Sequence, residues 1–196
     1  DKLKIKRADV LFFQTKKPTG WNFATKRTNL SPATFFNKLN GSVIDKAKLK
    51  EAALIVSKPG FNGKVSDLPK AVRKWLKAPL PDDEMALPLA SGVNMVGVLH
   101  PHDVGGVGKA LKSFGVPKEV VVLGGVSGVL DSKPASLRMS GGFPKLTMPK
   151  LGFLKLPTPK NAPALFMEYL NGQPALGVEV TETLPLKDGK KTVDLE

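Results

Sequence analysis

A valine-rich stretch that glycines interrupt, residues 119–140, constrains the fold more than any other part of the sequence. Its first half is β-branched and nearly uncharged, and Gly124, Gly125 and Gly128 break the run of bulky side chains. This composition is typical of an extended segment that is covered on both faces and is bent or closely approached at its glycines. We therefore expect a strand in the interior of a sheet.

The second half of the stretch alternates apolar and polar residues. Leu137 and Met139 fall on one face of an extended chain, whereas Arg138 and its serine neighbours fall on the other. Between the two halves, segment 131–134 has the sequence Asp-Ser-Lys-Pro, which offers turn chemistry. The stretch therefore predicts a β-hairpin at the centre of a sheet.

Strand patterns also occupy much of the first hundred residues. Segments 10–14 and 21–25 flank a turn sequence and predict a hairpin. A buried strand is expected within 48–57, and a further strand is expected over 85–99 with a break near Ser91. Together with the central hairpin, these segments favour a sheet made mostly of neighbouring antiparallel strands.

Two turn signals near the C-terminus give the firmest local prediction. Asn171 precedes Gly172, Asp188 precedes Gly189, and strand-like runs flank both pairs. Such dipeptides favour the tight turns that match the twist of a β-hairpin. We therefore predict a three-strand meander over this part of the chain.

Three short helices are predicted between the strands. The first begins with Ser31 as its N-cap and ends at Gly41, which suits a left-handed helix stop. The second lies between residues 66 and 78, where apolar residues recur at helical spacing. The third spans 107–114 and is expected to bury Val107, Leu111 and Phe114.

These elements predict a single α+β domain over residues 1–196. It comprises a mostly antiparallel β-sheet, about three short helices packed on one face, and a proline-rich extended strap over 143–160. The proline- and acid-rich segment 79–84 is the best place for a subdivision. Because hairpin, helix and strand patterns recur in both halves, an alternative is one module of a longer tandem-repeat protein, in contact with neighbouring copies of itself.

The charge of the chain favours anionic partners. Thirty basic and 17 acidic residues give a net charge of +13, which attracts nucleic acid, acidic polymers or anionic lipid headgroups. Only four of the basic residues are arginine, the residue that reads bases and clamps phosphates in a bidentate geometry. The lysine-rich composition therefore weakens the nucleic-acid interpretation. The alternative to any anionic partner is that the lysines only keep the surface solvated.

Two groups of basic residues are candidate binding sites. The polar side of the second predicted helix could lie on an anionic membrane or enter a partner's groove. That side carries Lys70, Arg73, Lys74 and Lys77. The strap could hold an anionic amphiphile or an acidic polymer, because its lysines alternate with apolar residues. Those lysines are Lys145, Lys150, Lys155 and Lys160. An ordinary surface helix and a strap that merely crosses the end of the sheet are the structural alternatives.

A glycine-rich segment resembles in part the phosphate loop of nucleotide hydrolases. Gly105, Gly106 and Gly108 precede Lys109, and such a turn can bind phosphate with its backbone amides. The hydroxyl residue that would ligand magnesium is missing, because Ala110 stands in its place. We interpret the segment as a flexible entry to the third helix.

His100 and His102 are the only histidines, and they could bind one metal or act as a base and its partner. Pro101 separates them, and no cysteine completes a coordination set. We therefore predict no catalytic residue, no metal site and no cofactor. A cysteine-free chain suits either redox environment, so composition leaves the compartment open.

The leading hypothesis is a non-catalytic binding or structural module whose lysine-rich surface meets an anionic or amphipathic partner, either lipid or acidic polymer. One alternative is a nucleic-acid or ribonucleoprotein component that binds through phosphate contacts. Another is an enzyme that uses the region of His100, His102 and Lys109. No apolar run approaches the roughly 20 residues that cross a bilayer, so no transmembrane span is predicted.

Overall fold

The computed structural model of the chain describes residues 9–16, 19–35, 41–127, 136–146, 162–180, 182–185 and 192–195. These residues form strands and helices in an irregular alternation. In chain order the strands are β1 (Val10–Lys16), β2 (Thr19–Leu30), β3 (Leu49–Lys58), β4 (Phe61–Lys64), β5 (Ala86–Leu89), β6 (Gly92–Leu99), β7 (Val120–Ser127), β8 (Ser136–Gly142), β9 (Ala164–Leu170), β10 (Gln173–Glu179), β11 (Glu182–Pro185) and β12 (Thr192–Leu195). The helices are α1 (Val43–Lys46), α2 (Lys70–Leu76) and α3 (Gly105–Ser113), with 3-10 turns at Pro32–Phe35, Val65–Asp67 and Pro101–Asp103.

Eight of the strands form one antiparallel sheet. Their order across the sheet is β1-β2-β3-β6-β7-β8-β9-β10, so most neighbours in space are also neighbours in sequence. The pairs β4 with β5 and β11 with β12 form two further two-stranded sheets. The predicted α+β class, with a mostly antiparallel sheet and three short helices, is confirmed.

The central hairpin is also confirmed. β7 and β8 are the fifth and sixth strands of the eight, and they pair with Val126 opposite Leu137 and Gly124 opposite Met139. Their connection, 128–135, lies outside the described residues. A Cβ atom on Gly124 would lie 1.8 Å from the carbonyl oxygen of Arg138, so the two strands approach each other closely at this glycine.

The large sheet has an apolar core on each face. We call them the main core and the second core. β7 contributes to both, because Val122 points into the main core and Leu123 into the second. The main core also contains Ile44, Leu49, Met95, Leu99, Leu111, Leu137, Met139, Leu165 and Met167. The second core also contains Phe13, Ala24, Ile55, Phe61, Val72, Leu76, Leu80, Leu87 and Val96.

The helices are divided between these two faces. Ile44 of α1 and Leu111 of α3 lie in the main core, whereas Val72 and Leu76 of α2 lie in the second core. The expectation that all helices pack on one face is therefore wrong in this detail. The physical reason is that the central strands are apolar on both sides, so both faces must be covered.

The helix boundaries differ from the sequence prediction at two places. The first predicted helix is a 3-10 turn at Pro32–Phe35 followed by the separate α1, and residues 36–40 between them lie outside the described residues. The third helix begins at Gly105, two residues earlier than expected. Its buried side therefore carries Gly108 and Leu111, and the expected burial of Val107 is wrong, since this side chain is 38% exposed.

The strand predictions hold with one rearrangement. The expected break in segment 85–99 separates β5 from β6, which belong to different sheets. Asn171 and Gly172 have φ angles of 51° and 83° and form the predicted turn between β9 and β10. However, β11 pairs with β12 in a separate two-stranded sheet, so the C-terminal strands do not form one meander. The second predicted turn, at Asp188 and Gly189, lies outside the described residues.

Phe143 and Leu146, at the start of the predicted strap, are buried in the main core. The rest of the strap, from 147 to 160, lies outside the described residues. Leu80, within the segment proposed as a boundary, is fully buried in the second core. The single domain, its boundary at 79–84 and the tandem-repeat alternative stay predictions. No helix in the described ranges is long and apolar enough to cross a membrane.

Candidate functional site

One candidate surface is an exposed aromatic group on the first three strands, which we call the aromatic face. It consists of Val10 and Phe12 on β1, Trp21 and Phe23 on β2, and Val56 on β3. Phe12 lies opposite Phe23, with ring centroids 5.2 Å apart in an edge-to-face arrangement, and Phe23 lies opposite Val56. Phe12 is 73% exposed, Trp21 69% and Val10 45%. These side chains therefore present a contiguous apolar surface to solvent.

The aromatic face is the uncovered end of an apolar row that crosses the whole sheet. Strand register aligns Phe12, Phe23, Val56, Val93, Val126, Leu137, Tyr169 and Pro174 in this row. The row is buried in the main core at Val126 and Leu137, yet Phe12 at the β1 edge is mostly exposed. The elements that cover the main core therefore leave the β1 side of the same sheet face open.

The charges on the aromatic face have one sign. Lys16 lies at the end of β1, and Lys58 lies opposite Trp21 in the register of β2 and β3. Alternation along the three strands places Arg27 on this face as a third basic residue and places no acidic residue there. The face is therefore apolar at its centre and cationic at its margin.

A second candidate surface lies at one end of the large sheet, and we call it the lysine cleft. Lys46, Lys48, Lys50, His100 and Asp103 line this cavity of about 330 Å³. The three lysines alternate with the fully buried residues Ala47 and Leu49, which lie in the main core. Lys46 is the last residue of α1, whereas Lys48 and Lys50 lie in the extended chain that follows, where successive side chains point to opposite sides. All three lysines are exposed and line the cleft.

A β-bulge shapes the cleft at the start of β3. Leu49 pairs with Leu99, but Ala52 pairs with Gly97, so one extra residue is inserted opposite β6. A Cβ atom on Gly97 would lie 2.6 Å from the carbonyl oxygen of Glu51 and 3.0 Å from the side chain of Leu49. Glycine at this position therefore permits the bulge, which changes the direction of the chain next to Lys50.

Of the ionisable groups that line the cleft, Lys50, His100 and Asp103 take part in close charged contacts. Asp103 Oδ2 lies 3.8 Å from Lys50 Nζ and 3.8 Å from His100 Nδ1. His100 Nε2 lies 3.4 Å from Glu119 Oε1, and its side chain is 19% exposed. In the described part of the chain, neither Lys46 nor Lys48 has an ion-pair partner within 4 Å.

Asp45 holds the segment that carries these lysines. Its carboxylate accepts hydrogen bonds from the backbone N–H of Gly41, at 2.9 Å, and from the hydroxyl of Ser31, at 2.8 Å. These bonds, with smaller contributions from the positive charges of Lys48 and Lys46, hold the pKa of the Asp45 carboxyl below its ordinary value. The carboxylate therefore stays ionised and ties α1 to the chain that follows β2.

The basic side of α2 is partly neutralised. Arg73 Nη1 lies 3.2 Å and Lys77 Nζ 3.7 Å from the carboxylate of Asp83, which belongs to the acidic run after the helix. Lys70 and Lys74 are exposed on the same helix. Of the strap lysines, Lys145 is exposed, and the others lie outside the described residues: Lys150, Lys155 and Lys160.

The glycine-rich segment forms the first turn of α3. A Cβ atom on Gly108 would lie 2.4 Å from the carbonyl oxygen of His102, so the helix packs directly on the preceding 3-10 turn. Gly105 has a φ of 52°, and both it and Gly106 have open space where a side chain would stand. Lys109 is exposed. Close packing therefore explains Gly108 without a bound phosphate.

The two histidines occupy different environments. His102 Nε2 lies 2.8 Å from the carbonyl oxygen of Val116 and links the 3-10 turn to the chain after α3. His100 instead faces Asp103 and Glu119 in the lysine cleft. Among the residues that the structure describes, no group of three or more histidine, cysteine, aspartate or glutamate residues is placed to hold a metal ion.

Sequence reasoning missed both candidate surfaces, although each has a visible signal. Lys46, Lys48 and Lys50 alternate with apolar residues, and Trp21 and Phe23 stand two residues apart in a predicted strand and so share one of its faces. No protein-family model, curated protein or solved structure matches the chain.

Proposed function

We propose that the protein is a non-catalytic binding module that docks on an anionic lipid surface through the aromatic face. One observation carries this proposal: Phe12 and Trp21 are exposed on a sheet face whose margin holds Lys16 and Lys58. Apolar side chains surrounded by cations match a bilayer interface, where the acyl boundary lies just below negative headgroups.

The expected affinity follows from the side chains of the aromatic face. Burial of a phenylalanine side chain contributes about 1.5–3 kcal/mol, and Trp21 contributes a similar amount because its ring suits the headgroup region. Each lysine near an anionic surface adds about 1 kcal/mol. The sum of about 5–8 kcal/mol corresponds to reversible binding in the millimolar to micromolar range.

Trp21 provides a direct reporter of docking. The chain has two tryptophans, so the Trp75→Phe variant leaves Trp21 as the single tryptophan. We expect its emission to shift to shorter wavelength with phosphatidylcholine vesicles that contain phosphatidylserine, and to change little with phosphatidylcholine alone. The shift should weaken as salt concentration rises, because salt screens the attraction between lysines and headgroups.

Two further variants separate local docking from general charge attraction. Lys58→Glu reverses a charge beside Trp21 and should weaken vesicle binding by about tenfold or more, given about 1 kcal/mol per charge. Lys112→Glu makes the same charge change at an exposed position of α3 and should have a much smaller effect. Equal losses in both variants would contradict docking through the aromatic face.

The nucleic-acid alternative is tested in the same experiment. Random-sequence single-stranded RNA would stack on exposed rings and contact lysines, with a steep dependence on salt. A response of Trp21 to RNA without any response to anionic vesicles would favour that alternative and reject the lipid surface.

A further inference from the structure

We propose that the lysine cleft is a binding site for a dianionic phosphate group, separate from the aromatic face. Its lining residues come from two places in the chain: the segment from the last residue of α1 to the start of β3, and the turn that follows β6. The volume of about 330 Å³ is at the lower limit of small-ligand pockets, which span roughly 300–1,000 Å³. A compact anion therefore suits the cleft better than a polymer.

The charge of the lining matches such an anion. Lys46, Lys48 and Lys50 contribute three positive charges and Asp103 one negative charge, so these four side chains sum to +2, and the carboxylate of Glu119 lies beside the lining, 3.4 Å from His100. Asp103 lies near Lys50, while Lys46 and Lys48 have no ion-pair partner in the described ranges. A phosphate monoester carries about −1.5 to −2 charges at pH 7 and would balance this excess.

The hydrogen-bonding groups also suit a phosphate. Each lysine ammonium has three donors and no acceptor. Phosphate offers several acceptor oxygens and no strong donor at neutral pH, so its oxygens can accept from more than one lysine at once. Lysine acts here as a point charge and needs no fixed bidentate geometry.

The segment that carries the lysines is fixed at both ends. At the α1 end, Asp45 accepts hydrogen bonds from Gly41 and Ser31. At the β3 end, the bulge packs against Gly97, where no side chain would fit. Ala47 and Leu49 between the lysines are fully buried. Binding an anion therefore requires little ordering of the backbone, which reduces the entropic cost of association.

Binding of inorganic phosphate to purified protein at low salt, measured by isothermal titration calorimetry, tests the site. The wild type should bind saturably, with a Kd of about 1 mM or tighter. Lys48→Gln removes an unpartnered cation and should weaken binding by about fivefold or more. Asp103→Asn removes the carboxylate that competes for Lys50 and should tighten binding by about threefold or more.

Matched substitutions elsewhere provide the controls. Lys74→Gln on α2 and Asp82→Asn after it make the same chemical changes at exposed positions, and they should leave the Kd within about twofold. Unchanged thermal unfolding of the Lys48 and Asp103 variants shows that the fold is retained. Absence of saturable binding to the wild type, or equal effects in the controls, would overturn the proposal.

The phosphate could belong to a soluble ester or to a lipid headgroup, and two arms distinguish these sources. Binding of glycerol 3-phosphate that Lys48→Gln weakens identifies a soluble monoester. Binding to vesicles containing phosphatidic acid that the same variant weakens, without any binding of glycerol 3-phosphate, identifies a headgroup. Either result supports the phosphate site. Because these variants leave Trp21 and Lys58 intact, the cleft and the aromatic face can fail independently.

Discussion

Replacement of Gly124 by alanine should destabilise the central hairpin severely. The added Cβ atom would lie 1.8 Å from the carbonyl oxygen of Arg138 and 2.6 Å from the Cα atom of Met139. Both neighbours are backbone atoms of β8, so no side-chain rotation relieves the overlap. To accommodate the methyl group, β7 and β8 have to move apart at the point where Gly124 pairs with Met139.

The expected loss of unfolding free energy follows from the size of this movement. The contact has to lengthen from 1.8 Å to at least 3.0 Å, below which real Cβ contacts are essentially absent. An N–H···O bond near 2.9 Å cannot stretch this far and persist, so about two ladder bonds are lost at about 1 kcal/mol each. Overpacking of the interior adds about 1–3 kcal/mol. The total of about 3–5 kcal/mol is a large part of the 5–15 kcal/mol that stabilises a typical domain.

Gly125 provides the matched control, because it is the next residue in the same strand. A Cβ atom on Gly125 would meet nothing within 4 Å. Alanine also restricts the unfolded chain more than glycine does, so Gly125→Ala should be neutral or stabilising by up to about 1 kcal/mol.

Urea denaturation, followed by far-UV circular dichroism and tryptophan fluorescence, measures both variants. A Gly124→Ala variant within about 0.5 kcal/mol of the wild type would refute the argument that the two strands approach too closely at Gly124 for a methyl group. An equal loss at Gly125 would show that the central strand needs glycine for a reason other than this contact.

Three further predictions concern stability. Asp45→Ala should lower the free energy of unfolding by about 1.5–3 kcal/mol at pH 7, because it removes hydrogen bonds to a charged carboxylate. Folding lowers the pKa of this carboxyl, so the difference in unfolding free energy between variant and wild type should have its full size above the ordinary pKa of 3.8. The difference should fade as the pH falls through the lowered pKa. Denaturation at a series of pH values measures it. Met139→Ala should cost about 2–5 kcal/mol in urea denaturation, because Met139 is fully buried in the main core. Val107→Ala should change stability by less than about 0.5 kcal/mol in the same assay, since Val107 is exposed on α3; a larger loss would contradict the observed placement of the helix.

Much of the secondary structure was predictable because it depends on local patterns. The turn at Asn171 and Gly172 requires positive φ angles, which these two residue types adopt at low cost. The alternation of Leu137 and Met139 with polar residues identifies a strand and its buried face. The break near Ser91 similarly separates two strands. Each of these signals lies within a few residues of the structure that it predicts.

The errors come from tertiary packing. Val107 fits a helical stripe in the sequence, but α3 begins earlier, and its contact with the preceding turn buries Gly108 instead. The turn at Asn171 and Gly172 was predicted correctly, yet β11 pairs outside the large sheet. Neither the start of a helix nor the choice of a strand's partner is determined by local periodicity alone.

For the candidate surfaces, too, the local pattern is visible in the sequence, whereas the placement depends on tertiary packing. The alternation of Lys46, Lys48 and Lys50 is visible in the sequence, but their placement beside His100 depends on the pairing of β3 with β6. From the sequence alone, Trp21 and Phe23 could equally well be core residues, because the sequence does not show how much of their sheet face other elements cover.

By itself, the sequence determined the α+β class, the valine-rich central hairpin, the turn at Asn171 and the strong positive charge, because composition and short-range periodicity carry that information. The tertiary structure alone decided that both sheet faces carry a core, that Phe12 and Trp21 remain exposed, and that three lysines meet a histidine at the sheet end. These features depend on contacts between residues distant in the chain. A local pattern states which side chains can be buried, but only the packed fold determines which of them are.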